Sequence, residues 1–395
     1  MGRTVGTVVR GIRTPIVKQG DDIVAVVVES LLNAAAQNGF QYCDRDVVGI
    51  TESVVARAQG NYAPISAVAK DINQKFSGEI ALLFPILSRN RFSLILKGIA
   101  QSGKKIHLFL NYPSDEVGNQ LMDVDLMDER GINPHTDFLT EAEYRRVFGD
   151  ATQHPFTGID YVNLYKELAA PGQVEVYLAN DPRAALAYSK QVLVANIHDR
   201  DRIKRNLIRA GAKTVYALDD LLTESIDGSG FNPDYGLLGS NKATEDSLKL
   251  FPRDCHALVE KVQQQMLARV GKKIEVMVYG DGAFKDPQGK IWELADPVVS
   301  PGFTQGLCGL PNEIKIKYVA DNEFGSLSSD ELTAAVKNKV RGKADNLCGS
   351  DLTLGTTPRQ LTDLLGSLCD LTSGSGDKGT PVILIQGYFD NYSTD

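Results

Sequence analysis

Ser373-Gly374-Ser375-Gly376-Asp377-Lys378-Gly379-Thr380-Pro381 is the stretch on which the reading of the fold turns. It contains G-x-G-x-x-G, the spacing by which a dinucleotide-binding fold passes from a strand into a helix. Here the order is reversed. A helix-like stretch, Thr362 to Leu371, precedes it, and an apolar strand, Val382-Ile383-Leu384-Ile385-Gln386, follows. The run therefore reads as helix–loop–strand and not as a Rossmann motif. Backbone N–H groups of such a loop, Gly374 to Gly379, can still cradle phosphate, and Asp377 can hold a metal. The alternative is a flexible turn.

Outside that loop the composition is ordinary. The chain has 395 residues, 43% hydrophobic and 23% charged. The length suggests two or three domains. A net charge of -8 gives no basic field for nucleic acid or an anionic membrane. No window approaches the apolar run of about 18 residues that crosses a bilayer. Met1-Gly2-Arg3-Thr4-Val5-Gly6 lacks a signal-peptide core, so a cytoplasmic location is expected. Cys43, Cys255, Cys308, Cys348 and Cys369 are far apart, without C-x-x-C, and read as reduced thiols. There is no zinc pattern, Walker A motif, H-E-x-x-H or Ser-His-Asp signature.

Three blocks follow from the pattern. Residues 1–85 alternate strand and helix signals: a strand to Ile12, a helix from Ile23 to Asn38 with Asp21 and Asp22 as caps, and the strand Val47 to Ile50. Residues 86–233 pass through the polar stretch 111–149. They end in strands at Val174–Leu178, Gln191–Ile197 and Val215–Leu218 with a basic helix, Arg200–Ala210, between the last two, a βαβ-type unit. Residues 234–395 carry a helix to Val270, closed by Gly271, and then the strand Ile274–Tyr279. A further strand is expected at Ile314–Val319 and a helix at Ser329–Val340.

Several residues are candidates for chemistry. Asp281 follows an apolar strand and sits between Gly280 and Gly282, which leaves room for a divalent cation and a phosphate. It can equally satisfy its own turn. Lys18 precedes a helix N-terminus, where phosphate is favoured, or is a surface lysine. Arg57 suits bidentate contact with phosphate, or forms a surface ion pair. Ser88-Arg89-Asn90-Arg91-Phe92 concentrates cations that can receive an anionic substrate, or lies on a solvated helix face. Asp115 and Glu116 can bind a metal or simply belong to an acidic loop.

Five segments, in order, resemble the coenzyme F-420-0:L-glutamate ligases (gamma-glutamyl ligases). They are RTPIVKQGDD (13–22), TESVVARAQG (51–60), YGLLGSNKATEDSLKLFP (235–252), IEVMVYGD (274–281) and the C-terminal SGSGDKGTPVILIQG. The resemblance implies an α+β fold: a ligase core made of 1–85 and 234–395, assembled as a homodimer, with 86–233 as an inserted small α/β domain. It implies an enzyme that uses GTP, or ATP, with Mn²⁺ or Mg²⁺ to phosphorylate an acceptor carboxylate. L-glutamate then displaces the phosphate and an amide forms. Carried over by position, Pro15, Ile16, Val17, Lys18, Glu52, Ser53, Arg57 and Asn241 contact the nucleotide together with the loop Gly374, Ser375, Gly376, Asp377, Lys378 and Gly379. Asp281 is a metal ligand and, with Arg57, catalytic; Asp234 and Asp377 stand in for lost metal ligands. Arg89 and Arg91 are expected to bind the acceptor. The sequence departs from the family pattern at Leu238, Gly282 and Ser375, where the family has Asp, Thr and Glu. Those losses motivate a non-catalytic nucleotide- or metabolite-binding protein as the alternative. A folate-type acceptor is another.

Overall fold

Val47-Val48-Gly49-Ile50 has no polar side chain on either face, the pattern of a strand covered on both sides. It is the centre of the first of two principal sheets. The computed structural model describes residues 4–149, 152–154, 157–281, 298–353, 359–373 and 377–394. The chain divides into two compact units. The first takes in the described residues of Met1–Val55, Asp254–Gly280 and Pro297–Asp395; the second is built on Ala56–Arg253.

The first unit holds β1 (Val8–Ile12), β2 (Val47–Thr51), β12 (Glu275–Asp281), β13 (Val298–Phe303) and β14 (Val382–Gln386), in the order β1-β14-β2-β12-β13. β14 runs antiparallel to β1 and to β2, whereas β2 and β12 are parallel. Helix Ile23–Asn38 starts at Asp22, whose carboxylate accepts the N–H groups of Val24 and Ala25, both at 3.1 Å. It ends at Gly39, with φ 67°. That is a carboxylate N-cap and a left-handed glycine C-cap, as the sequence indicates. Helix Cys255–Val270 ends the same way at Gly271.

Helix Leu361–Ser373 packs with Leu365 and Cys369 into a cluster with Val47, Met277, Tyr279, Ile383 and Ile385. Gly49 is required there. A Cβ at that position would lie 2.4 Å from the Cys369 sulfur. Gly49→Ala is therefore expected to cost about 1–3 kcal/mol through overpacking. Urea unfolding measures this, and an unchanged midpoint would refute the packing of that helix on β2.

The second unit begins its sheet at Ile80-Ala81-Leu82-Leu83, another strand buried throughout. The strands are β4 (Ile80–Leu83), β5 (Ile106–Leu110), β6 (Leu139–Thr140), β7 (Val174–Leu178), β8 (Gln191–Val194) and β9 (Thr214–Ala217). Their order is β6-β7-β5-β4-β8-β9, parallel except for the edge strand β6. Alternation divides the side chains between two faces. Ile80, Leu82, Leu108 and Leu193 join the large core that includes Phe92, Ile95 and Ile99 of helix Phe92–Ala100. Ala81, Leu83, Phe109 and Val194 meet Ile203 and Leu207 of helix Arg200–Arg209. This is a doubly wound sheet. A small antiparallel sheet adds β3 (Tyr62–Pro64), β10 (Asn241–Thr244) and β11 (Ser247–Lys249), in the order β10-β11-β3.

The α+β fold class is as expected, and most of the elements fall where the pattern puts them. One does not. Ile314–Val319 is not a strand; the chain there forms helix Ile316–Asn322. Alternation makes a strand only where a sheet covers one face. Here Val319 is buried but Ile316 is 40% exposed. Among the described residues, no helix is long and apolar enough to cross a membrane.

Candidate functional site

The strand directions of the first sheet gather the resembling segments at one edge. Tyr279 of β12 pairs with Thr51 of β2, Ile50 with Val382 of β14, and Val382 with Ile12 of β1. The chain leaving β1, β2 and β12 and the chain entering β14 therefore emerge together. Thr14 N–H donates to Gly379 O at 3.3 Å and Thr51 N–H to Pro381 O at 3.0 Å. Thr380 closes the glycine loop by donating to Ser373 O at 2.8 Å. Thus 13–18, 51–53, 279–281 and 377–381 share one edge, although they come from opposite ends of the chain.

Local chemistry fixes each arm. Lys18 N–H donates to the Asp21 carboxylate at 2.7 Å, which folds the turn ahead of the Asp22-capped helix. Val17 is buried in that arm, whereas Ile16 is 80% exposed and Pro15 and Lys18 lie at the surface. Glu52 opens helix Glu52–Gln59 and lies against Gly280: a Cβ on Gly280 would sit 2.0 Å from Glu52 Cγ. Burial pushes the Tyr279 phenol well above its ordinary pKa, with Cys369 adding to the effect and the Ser373 hydroxyl opposing it. Tyr279 therefore stays protonated and links the end of β12 to the helix that leads into the glycine loop. Gly280→Ala is expected to displace Glu52 and, on the expectation that this edge binds nucleotide, to weaken that binding at least about fivefold while the protein remains folded. Calorimetric titration tests this, and unaltered affinity would separate Glu52 from the site.

In the second unit, Lys242 N–H donates to Asn90 O at 2.8 Å. That bond joins the Asn241 segment to Arg89-Asn90-Arg91. Arg91 is only 7% exposed and takes the N-cap position of helix Phe92–Ala100. It is no solvated helix face.

The family model for F420-0:gamma-glutamyl ligase matches residues 11–387. The chain belongs to the F420-0:gamma-glutamyl ligase family. It is thereby a ligase of the kind that adds glutamate. No curated protein matches the chain.

Asp281, Asp234 and Asp377 are the residues the sequence offers as metal ligands. Among the described residues, no three His, Cys, Asp or Glu side chains come together as a metal site. The Asp281 side chain lies outside the described residues, as do Gly282, Gly374, Ser375 and Gly376. Asp377, Lys378 and Gly379 are exposed at the sheet edge. Asp234 is exposed in a turn of the second unit, its N–H bound to Asn232 Oδ1 at 2.9 Å. Leu238 is buried, 6% exposed, in the second unit's core. A carboxylate there would meet apolar neighbours, so the departure from the family pattern has a packing basis. Arg57 is exposed on the second unit's side of the division.

Asp115 and Glu116 are committed to structure. Asp115 accepts from Leu87 N–H, Val117 N–H, Asn119 N–H and Asn119 Nδ2 at 2.7–3.0 Å. Burial nonetheless raises its pKa to about 6. Glu116 accepts from Ile197 N–H, His198 N–H and the His198 ring. The parts of the site that sequence reasoning missed are Tyr279, Ser373 and the Glu52–Gly280 contact. Tyr279 and Ser373 lie inside the quoted motifs, but only the packing of helix Leu361–Ser373 against β12 brings those motifs together.

Proposed function

We propose that this ligase transfers the γ-phosphoryl group of GTP or ATP to a carboxylate oxygen of an acceptor, such as coenzyme F-420-0 or a related metabolite. The nucleoside diphosphate leaves. The amine of L-glutamate then forms the C–N bond at the acyl carbon, the C–O bond to phosphate breaks, and the amine loses a proton. The observation that carries this reading is the convergence of 13–18, 51–53, 279–281 and 377–381 on one sheet edge.

In this reading the arm Pro15–Lys18, Glu52, Ser53 and the loop Gly374–Gly379 hold the nucleotide. Lys18 and Lys378 balance phosphate charge, and loop N–H groups donate to its oxygens. Asp281 and Asp377 offer hard oxygen ligands, the donor type suited to Mg²⁺ or Mn²⁺. A metal bound there would neutralise charge on the transferring phosphoryl group. Arg89 and Arg91 take the anionic end of the acceptor. Pairing as a homodimer belongs to the same reading. The test is glutamate-dependent release of phosphate and nucleoside diphosphate. Release that ignores both glutamate and acceptor would reject it.

A second reading, a nucleotide-binding protein without turnover, is favoured by one observation: Leu238 is packed in the core where the family has a carboxylate. It predicts nucleotide binding that is indifferent to divalent metal.

A further inference from the structure

The strand order of the second unit reverses at one place. From β4 the chain goes to β5 on one side of the sheet and later returns to β8 on the other. In doubly wound sheets, ligands bind outside the carboxyl ends of the strands at that reversal. The loops there are 84–91 after β4 and 195–199 after β8. Phe84 N–H bonds to Phe109 O at 2.9 Å on one side, and Ala195 N–H to Leu83 O at 2.7 Å on the other.

The two loops are tied together by the chain that follows β5. Asp115 fixes Leu87, the Tyr165 hydroxyl accepts Ser88 N–H at 3.0 Å, and Glu116 fixes Ile197 and His198. Phe84 has φ 57°, a left-handed conformation costly for a bulky side chain and typical of functional segments. Arg89 and Arg91 stand on this loop, Arg91 almost wholly buried. Ser240, two residues before Lys242 in the segment bonded to Asn90, is fully buried, and its hydroxyl has no hydrogen-bond partner among the described residues. A buried hydroxyl left unpaired is costly, so its retention points to a ligand that pairs with it.

We propose that this reversal point is a ligand site contained within the second unit, and that it binds the oxyanion group of the acceptor. The inference rests on the ligase reading only for the word acceptor. Guanidinium groups match a two-oxygen face, whether of phosphate or carboxylate. The Ser240 hydroxyl would add a neutral hydrogen bond.

Calorimetric titration of the full chain, without nucleotide, uses pyrophosphate for the phosphate source and glutarate for the carboxylate source. Binding of either probe is expected to weaken at least tenfold in Arg89→Ala and in Ser240→Ala. Ser240→Ala is expected to leave the melting temperature of the free protein unchanged or raised, which separates lost binding from lost folding. Binding lost only in Lys18→Ala would assign the probe to the nucleotide edge and overturn the inference. So would no binding of either probe, or binding unaffected by both second-unit variants. GTP titrated in parallel tests the ligase reading separately, since either site can fail without the other.

Discussion

Asp281→Asn is expected to lower glutamate-dependent release of nucleoside diphosphate and phosphate at least about 10²-fold. The substitution keeps the shape of the side chain and removes its charge. Asp281 closes β12 next to Gly280, against which Glu52 lies. An amide oxygen is a weaker ligand for a hard divalent cation than a carboxylate. The charge of the transferring phosphoryl group is then left uncompensated in the transition state, where neutralisation matters most. Thermal unfolding measured on the same preparation separates loss of chemistry from loss of fold. Turnover within twofold of the parent chain would remove Asp281 from the reaction.

The second large effect concerns stability. Asp115→Ala is expected to cost roughly 3–5 kcal/mol, lowering the melting temperature of the second unit on the order of 10 °C. The carboxylate accepts four hydrogen bonds from donors on two loops, three of them buried. Alanine would leave all four without an acceptor, and water can recover only part of the loss.

Asp115 also predicts a pH dependence. Burial holds its folded pKa at about 6, above the value near 3.9 of an unfolded chain. The folded protein therefore binds this proton more tightly. The associated stability is complete below about pH 4 and declines as pH rises to about 6, on the order of 3 kcal/mol in all. Other carboxylates act in the opposite sense: Asp160, though penalised by burial, is held low by Arg145, and Glu175 is held low by Lys105. The difference in melting temperature between the parent chain and Asp115→Asn isolates the effect. A difference that stays constant across pH 4–7 would show that Asp115 titrates normally.

The legible parts of the molecule were local ones. Helix Ile23–Asn38 announced itself by Asp22 and Gly39, and β14 by an apolar run after the glycine loop. The reversed order of helix and strand around that loop excluded a Rossmann motif at the C-terminus. A doubly wound sheet nevertheless exists elsewhere, in the second unit. Its strands β7, β8 and β9 were readable as an alternation, but the reversal between β4 and β8 was not, because strand order is set by long-range packing.

The same limit applies at the sheet edge. Glu52, Tyr279 and Ser373 come together through strand pairing and helix packing between distant parts of the chain, which periodicity does not record. At Ile316–Asn322 the local pattern misled, since alternation gives a strand only where a sheet accepts it. Leu238 shows the converse: a departure from a family motif that looks like a lost ligand also fills a core.

The measurement that tests the central claim most directly is calorimetric titration of the purified chain with GTP and with ATP, with and without Mn²⁺. The claim is that the edge formed by β1, β2, β12 and β14 is a metal-dependent nucleotide site. It predicts saturable binding of a nucleotide that needs Mn²⁺ and is lost in Asp281→Asn. Binding that is the same without metal and in that variant would contradict it, and so would no binding of either nucleotide.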